Sequence, residues 1–162
     1  MGLNVETPKG QQAILDAEDA IDIWHRNNPQ IRFIFTPQNK PAVVDGCLYV
    51  GETLFGIVEI KCRYDMDTYE LKCQRRNEWL VTYSKVTRSA RLAEALGVPL
   101  WGFLYLHADK TLFVIVITNS NGVITCDLRM EETKTKNNIN KEKDVIRENA
   151  FILMDKAMPY RM

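Results

Sequence analysis

Two strongly apolar stretches in the second half of the chain constrain its fold more than any other feature. Residues 100–106 and 112–118 are rich in β-branched and aromatic side chains, and a short polar segment at 108–110 joins them. Such side chains favour β-strands, and strands without polar alternation are typical of the centre of a sheet. The sequence therefore predicts two neighbouring central strands around which the other elements are arranged.

The first third of the chain predicts a helix followed by three strands. Residues 11–27 carry apolar side chains at three- and four-residue steps, which indicates one apolar helix stripe. Strands are predicted at 31–36, 42–50 and 54–63, with a loop at 37–41. The turn at Gly51 makes the last two strands a hairpin.

The remainder predicts further helix and strand. A helical region is expected from about Asp67 to Leu96, and it ends at Gly97 and Pro99. A strand is expected at 123–129 after the Asn121-Gly122 turn, and an exposed polar loop at 131–143. Residues 145–158 are apolar and leave strand and helix open. The predicted fold class is α/β, with a mixed central β-sheet flanked by helices in one domain that spans residues 1–162.

Composition indicates the cellular location of this domain and the state of its cysteines. No apolar stretch approaches the roughly 20 residues of a membrane helix, and residues 1–12 are polar, so we expect a cytoplasmic protein. The four cysteines form no C-x-x-C pair, which argues against structural zinc. We expect them to be reduced and mostly buried.

Charge is unevenly distributed although the net charge is zero. Residues 1–60 hold four Lys/Arg against eight Asp/Glu, whereas residues 61–91 hold eight against four. One interpretation is a metal site beside a phosphate-binding surface. The other is two solvated surfaces of opposite sign.

The strand at 54–63 carries an unusual pair of charges. Alternate residues of a strand share a face, so Glu59 and Lys61 lie together and Val58, Ile60 and Cys62 form an apolar face opposite. A simple explanation is an edge strand with a solvated ion pair, worth under about 1 kcal/mol.

Asp45 favours a different explanation for the pair. The hairpin brings Asp45 opposite the Glu59 end of the partner strand, so two carboxylates and a lysine converge. Neighbouring carboxylates repel each other unless positive charge lies between them, and a hard divalent cation with oxygen ligands supplies such charge.

The arrangement of Asp45 followed by Glu59-Ile60-Lys61 resembles the D…E-x-K signature of the PD-(D/E)xK nucleases, which include restriction endonucleases, Holliday junction resolvases and lambda-type exonucleases. Val44 stands where the family usually has proline. The resemblance implies a restriction-endonuclease-like core and metal-dependent phosphodiester hydrolysis. Mg²⁺, or Mn²⁺ in its place, would be held by Asp45, Glu59 and the Ile60 carbonyl. An acid on the first helix, Glu18, would assist, and Lys61 would orient or deprotonate the attacking water.

The same resemblance implies a basic surface that binds nucleic acid, with DNA as the expected substrate. Its residues are predicted to be Arg63, Arg75, Arg76, Lys85 and Arg88. A homodimer or a partner protein would supply specificity. Two alternatives have no catalysis: a nucleic-acid-binding protein on the same fold, and an α/β interaction protein in which Glu59 and Lys61 are a surface pair.

Overall fold

The computed structural model describes residues 7–37, 42–136 and 144–162, with the backbone alone at 135–136 and 144–145. Within these ranges the chain forms two α-helices, one π-helical turn and nine strands. In chain order they are α1 (Pro8–Asn27), β1 (Arg32–Phe35), β2 (Gly46–Val50), β3 (Thr53–Arg63), the π-helical turn (Glu70–Gln74), β4 (Glu78–Thr82), α2 (Tyr83–Leu96), β5 (Leu100–Leu106), β6 (Thr111–Thr118), β7 (Leu128–Lys136), β8 (Asp144–Leu153) and β9 (Met158–Tyr160).

Six strands form the main sheet in the order β1-β2-β3-β5-β6-β9. β3 and β5 are parallel, and all other neighbours are antiparallel, so the sheet is mixed. The two strongly apolar stretches of the sequence are β5 and β6, and both lie inside the sheet. Their positions follow from side chains that are buried on both faces.

Each face of the main sheet is covered by a different layer. Helix α1 packs on one face, where Trp24 contacts Phe103 in a core that also contains Val58. Helix α2 and a smaller antiparallel sheet, β4-β8-β7, cover the other face, and its core includes Ile57 and Trp79. The predicted fold class, a mixed α/β sheet flanked by helices, is confirmed.

Several local predictions are also confirmed. Helix α1 forms where the apolar stripe predicts a helix, and it buries that stripe. The β2–β3 hairpin turns at Gly51, whose φ is +59°. Gly97 ends α2 in the left-handed conformation that glycine favours, with φ at +67°. Val58 belongs to the core beneath α1, with Ile60 and Cys62 packed against that core, as the strand alternation predicts.

The predicted helical region at 67–96 is wrong in its first half. It contains the π-helical turn and then β4, and α2 begins only at Tyr83. Strand β4 forms because its backbone pairs with β8, where Leu80 lies opposite Phe151. This pairing joins segments about 70 residues apart, and it overrides a local helical periodicity.

Three further boundaries differ from the sequence prediction. β2 begins at Gly46 rather than at residue 42, so Asp45 directly precedes the strand. The strand predicted at 123–129 is displaced to β7, which covers the first part of the predicted polar loop. The ambiguous segment after residue 144 forms β8 and β9. The rest of both predicted loops, at 38–41 and 137–143, lies outside the described residues.

The structure also bears on membrane insertion and on the cysteines. In the described ranges, neither α-helix combines the length and the apolar character needed to span a membrane. All four cysteines are free thiols, as predicted. They are less buried than predicted, because Cys73 is exposed and the other three are half-buried.

Candidate active site

Asp45 is held by three hydrogen bonds, two of them to the edge of β3 and one to Thr36 after β1. Its amide donates to the Val58 carbonyl at 2.9 Å, and its carbonyl accepts from the Thr36 amide at 2.9 Å. Its carboxylate Oδ2 accepts from the Ile60 amide at 2.7 Å. Because β2 pairs with β3 only as far as Val58, the Ile60 amide has no strand partner on this side, and the Asp45 side chain takes that place.

The same edge presents the Ile60 carbonyl. In a β-strand the amide and the carbonyl of one residue point to the same side of the strand. Since the Ile60 amide points to Asp45, its carbonyl lies on the edge that Asp45 occupies. The carbonyl proposed as a ligand is therefore on the correct side of β3.

Glu59 is buried beside Asp45, with only 5% of its surface exposed. The Ser89 hydroxyl donates to its Oε1 at 2.8 Å, and the Lys85 ammonium lies 3.2 Å from its Oε2. The Asp45 carboxylate, bonded to the amide of the next residue, Ile60, lies close enough to act on Glu59 electrostatically. The structure thus brings the two predicted carboxylates together.

Burial raises the pKa of Glu59 to about 7, and the negative charge of Asp45 adds to this shift. The Lys85 ammonium and the Ser89 hydroxyl oppose it but do not cancel it. Burial also disfavours the charge of Lys85, but Glu59 and Asp45 together outweigh that effect and raise the Lys85 pKa. A carboxylate that resists ionisation next to another carboxylate marks a site that gains by accepting a cation.

Lys61 lies on the same face of β3 as Glu59, but it is not the ion-pair partner of Glu59. Within the described residues, Glu59 pairs with Lys85, and Lys61 makes no ion pair. The Lys61 side chain reaches solvent. Its pKa is nevertheless lowered, mainly by partial burial and then by the positive charges of Arg63 and Lys85. The alternative of a solvated Glu59–Lys61 pair on an edge strand is wrong, since Glu59 is buried and β3 lies between β2 and β5.

Glu18, the predicted helper acid, is exposed on α1, the helix that packs on the opposite face of the sheet. The acid that α1 buries is Asp16, at 1% exposure, which lies 2.7 Å from the His107 Nδ1. Among the described residues, no three His, Cys, Asp or Glu side chains converge as a metal cluster. Two carboxylates and a carbonyl nevertheless fit Mg²⁺, which keeps several waters and commonly takes only one or two carboxylates.

The predicted basic residues lie on several elements, and one of them, Lys85, contacts Glu59. Arg63 ends β3, and its pKa is lowered by burial and then by Arg75. Arg75 and Arg76 are exposed after the π-helical turn. Lys85 and Arg88 are on α2, where Lys85 reaches Glu59 and Arg88 is exposed. The single basic helix expected from the sequence is therefore divided by β4.

Ser89 is a site residue that the sequence did not lead us to predict. It is fully buried on the α2 face that packs against the sheet, with its hydroxyl 2.8 Å from Glu59 and 3.2 Å from the Val43 carbonyl. A serine within the apolar stripe of a helix needs a buried hydrogen-bond partner. That requirement is the signal that points to a polar group beneath α2.

The raised pKa of Glu59 predicts a pH-dependent stability difference for Glu59→Gln. The unfolded carboxyl loses its proton near pH 4.5, and the folded one loses it only near pH 7. Between these values the folded state holds the extra proton, so the stability of the parent falls as pH rises. In EDTA, Glu59→Gln should gain on the order of 1–3 kcal/mol relative to the parent from pH 5 to pH 8, measured by thermal melts.

A matched control for that prediction is Glu52→Gln, because Glu52 is exposed in the β2–β3 turn. Its melting temperature should follow that of the parent at every pH. If the stability of Glu59→Gln and that of the parent change equally with pH, the pKa of Glu59 is not raised in the folded state.

Comparisons with known proteins add one structural match. No family model matches the chain, and no curated protein matches it. A Holliday junction resolvase, Hjc, from the archaeal hyperthermophile Archaeoglobus fulgidus matches with a TM-score of 0.48 and 12% sequence identity. The match covers 88% of this chain and 93% of the resolvase. This identity and this TM-score are too low for the comparison to assign the chain to a family.

Proposed function

We propose that the chain is a metal-dependent nuclease of the PD-(D/E)xK superfamily, and that residues 1–162 form one catalytic domain. The substrate is nucleic acid, with DNA as the expected form. The observation that carries the proposal is the position of the Asp45 carboxylate, which accepts from the Ile60 amide directly beside the buried Glu59, at the edge that also presents the Ile60 carbonyl.

The proposal gives each residue a separate task. Asp45, Glu59 and the Ile60 carbonyl hold Mg²⁺, or Mn²⁺ in its place. When bound, such a cation polarises a phosphate and lowers the pKa of a water molecule. Lys61 orients or deprotonates the attacking water and stabilises the negative charge that develops on the phosphate. Burial and then the positive charges of Arg63 and Lys85 lower the pKa of Lys61, which makes its ammonium easier to deprotonate.

Lys85 and Ser89 position Glu59 in this mechanism. The Ser89 hydroxyl fixes Oε1, and the Lys85 ammonium neutralises Oε2. A bound divalent cation would compete with that ammonium for the same carboxylate. Lys85 would then be free to bind a substrate phosphate.

The principal alternative is a protein that binds nucleic acid on the same fold without cleaving it. The raised pKa of Glu59 argues against it, because a buried carboxylate beside a second carboxylate would be costly to retain without a task. Metal-dependent cleavage separates the two functions.

The experiment is a cleavage assay on linear, circular, single-stranded and branched DNA, with RNA in parallel, in Mg²⁺, Mn²⁺ or EDTA. We expect cleavage of at least one substrate with either metal and none in EDTA. Binding of these substrates without cleavage in either metal would establish the alternative. Cleavage that persists in EDTA would exclude the proposed metal chemistry.

The exposed arginines predict a strong salt dependence of binding. If Arg75 and Arg76 bind phosphates, the double variant Arg75→Ala/Arg76→Ala should bind DNA more weakly. Each phosphate interaction that the substitutions remove should lower the slope of log affinity against log salt by about 0.7–0.9. The measurement is fluorescence anisotropy over a range of salt concentrations in EDTA.

Arg26→Ala is the control for charge alone, since Arg26 is exposed near the end of α1 on the other side of the sheet. Its slope should equal that of the parent. An unchanged slope in the double variant would show that Arg75 and Arg76 are only solvated surface charges.

A further inference from the structure

An exposed aromatic ring lies where β3 ends, one residue beyond Arg63. The Tyr64 ring stacks on the imidazole of His107, with the ring centroids 4.3 Å apart and an angle of 25° between the two planes. Tyr64 nevertheless remains 54% exposed. The protein therefore supports one face of this ring and leaves much of the side chain open to a second flat group.

A buried carboxylate holds the imidazole in place beneath Tyr64. The Asp16 Oδ1 lies 2.7 Å from the His107 Nδ1, and it also accepts a hydrogen bond from the Gln12 side-chain amide at 3.0 Å. The His107 backbone amide donates to the Arg63 carbonyl at 3.0 Å, which ties the residue to the end of β3. Asp16 is only 1% exposed, and burial of a carboxylate is costly unless it is paired. These contacts make the two stacked rings a rigid unit, which we call the Tyr64–His107 platform.

The platform adjoins the candidate active site along β3. Lys61 and Arg63 share the face of Glu59, and each lies about 6.6 Å beyond the previous one. Within the described part of the chain, Arg63 forms no ion pair, so its charge is available to an anion. Among the described strands, β2 pairs with β3 only as far as Val58, which leaves the last residues of β3 without a strand on that side. A nucleic-acid strand along this edge would have two cations for its phosphates and an exposed ring at the end.

We propose that Tyr64, supported by His107, stacks on one unpaired base of a nucleic-acid strand, while Arg63 binds the phosphate beside that base. Bases inside a duplex already stack on both neighbours, so a base that reaches Tyr64 has left such a stack. Aromatic side chains bind unstacked bases with little regard to sequence, because every base has a π face. The platform therefore favours nucleic acid that has an unpaired position near the scissile phosphate, whatever base stands there.

This inference rests on the proposed function for the identity of the ligand but does not require cleavage, so its test is carried out in EDTA. The probes are a short fluorescent oligothymidine and a strand of equal length in which every position is abasic, so that only the bases differ. Base stacking of the usual strength predicts that the parent binds the oligothymidine about tenfold more tightly. Tyr64→Phe keeps the ring and should retain this preference, whereas Tyr64→Leu should reduce it to near unity.

Tyr69→Leu is the matched control, because Tyr69 is 66% exposed and stacks on no ring of the described residues. It should bind both strands as the parent does. Arg63→Gln separates phosphate binding from base stacking: it should weaken binding of both strands by a similar factor and leave the preference for the oligothymidine intact. Thermal melts of each variant confirm that it is folded.

The outcomes distinguish this inference from the proposed function. Equal binding of the oligothymidine and the abasic strand by the parent would overturn the stacking platform and leave the nuclease proposal in place. A folded Tyr64→Leu that keeps the parental preference would also overturn it, because the bases would then bind elsewhere. Failure of the parent to bind either strand would overturn it as well, whereas the nuclease proposal depends on metal-dependent cleavage.

Discussion

Lys61→Ala is expected to lower the cleavage rate by several orders of magnitude while the protein still binds Mn²⁺. Lys61 supplies positive charge near the water and the phosphate, and it supplies no ligand to the cation. Removal of an ammonium from the site also removes a repulsion, so Mn²⁺ affinity should be equal or higher. Single-turnover cleavage and calorimetric Mn²⁺ titration measure the two effects separately.

Lys156→Ala is the matched control, since the Lys156 side chain is exposed and lies 4.0 Å from Asp127 at the surface. It should retain the parental cleavage rate. Lys61→Ala should melt at the parental temperature, because its side chain reaches solvent. Near-parental cleavage by a folded Lys61→Ala would remove Lys61 from the mechanism.

Asp45→Ala is expected to abolish cleavage and to weaken Mn²⁺ binding strongly. Asp45 contributes one of the two carboxylates, and neither Glu59 alone nor the Ile60 carbonyl can replace its charge. The structure adds a second consequence, because the substitution leaves the Ile60 amide without its 2.7 Å partner. The unpaired amide should cost about 1–3 kcal/mol of stability, visible in thermal melts.

Asp45→Asn separates these two effects. Its amide oxygen can still accept from the Ile60 amide, so its stability should approach that of the parent. Its missing charge should leave Mn²⁺ binding and cleavage as poor as in Asp45→Ala. If Asp45→Asn binds Mn²⁺ as tightly as the parent does, Asp45 is a structural acceptor and not a metal ligand.

The elements that the sequence predicts well are those whose pattern is local. The stripe of α1, the Gly51 hairpin and the apolar runs of β5 and β6 each fit within a short window of sequence. The convergence of Asp45 and Glu59 was also predictable, because it requires only strand alternation and one hairpin.

The elements that the sequence predicts poorly depend on partners that are distant along the chain. β4 becomes a strand by pairing with β8, which lies about 70 residues later in the chain. Lys85 reaches Glu59 only because α2 packs over β3, although the two residues are 26 positions apart in sequence. No local pattern predicts which of two lysines forms that ion pair.

The most direct test of the central claim compares the cleavage rates of the parent and Glu59→Gln in Mg²⁺ at pH 8. Glutamine is close in shape to glutamate and can still accept from Ser89, but it cannot supply the negative charge that the cation requires. We predict that Glu59→Gln is folded and at least as stable as the parent. Its cleavage rate should be lower by a factor of about 100 or more. Equal cleavage by the two proteins would contradict the assignment of Asp45 and Glu59 as a catalytic metal site.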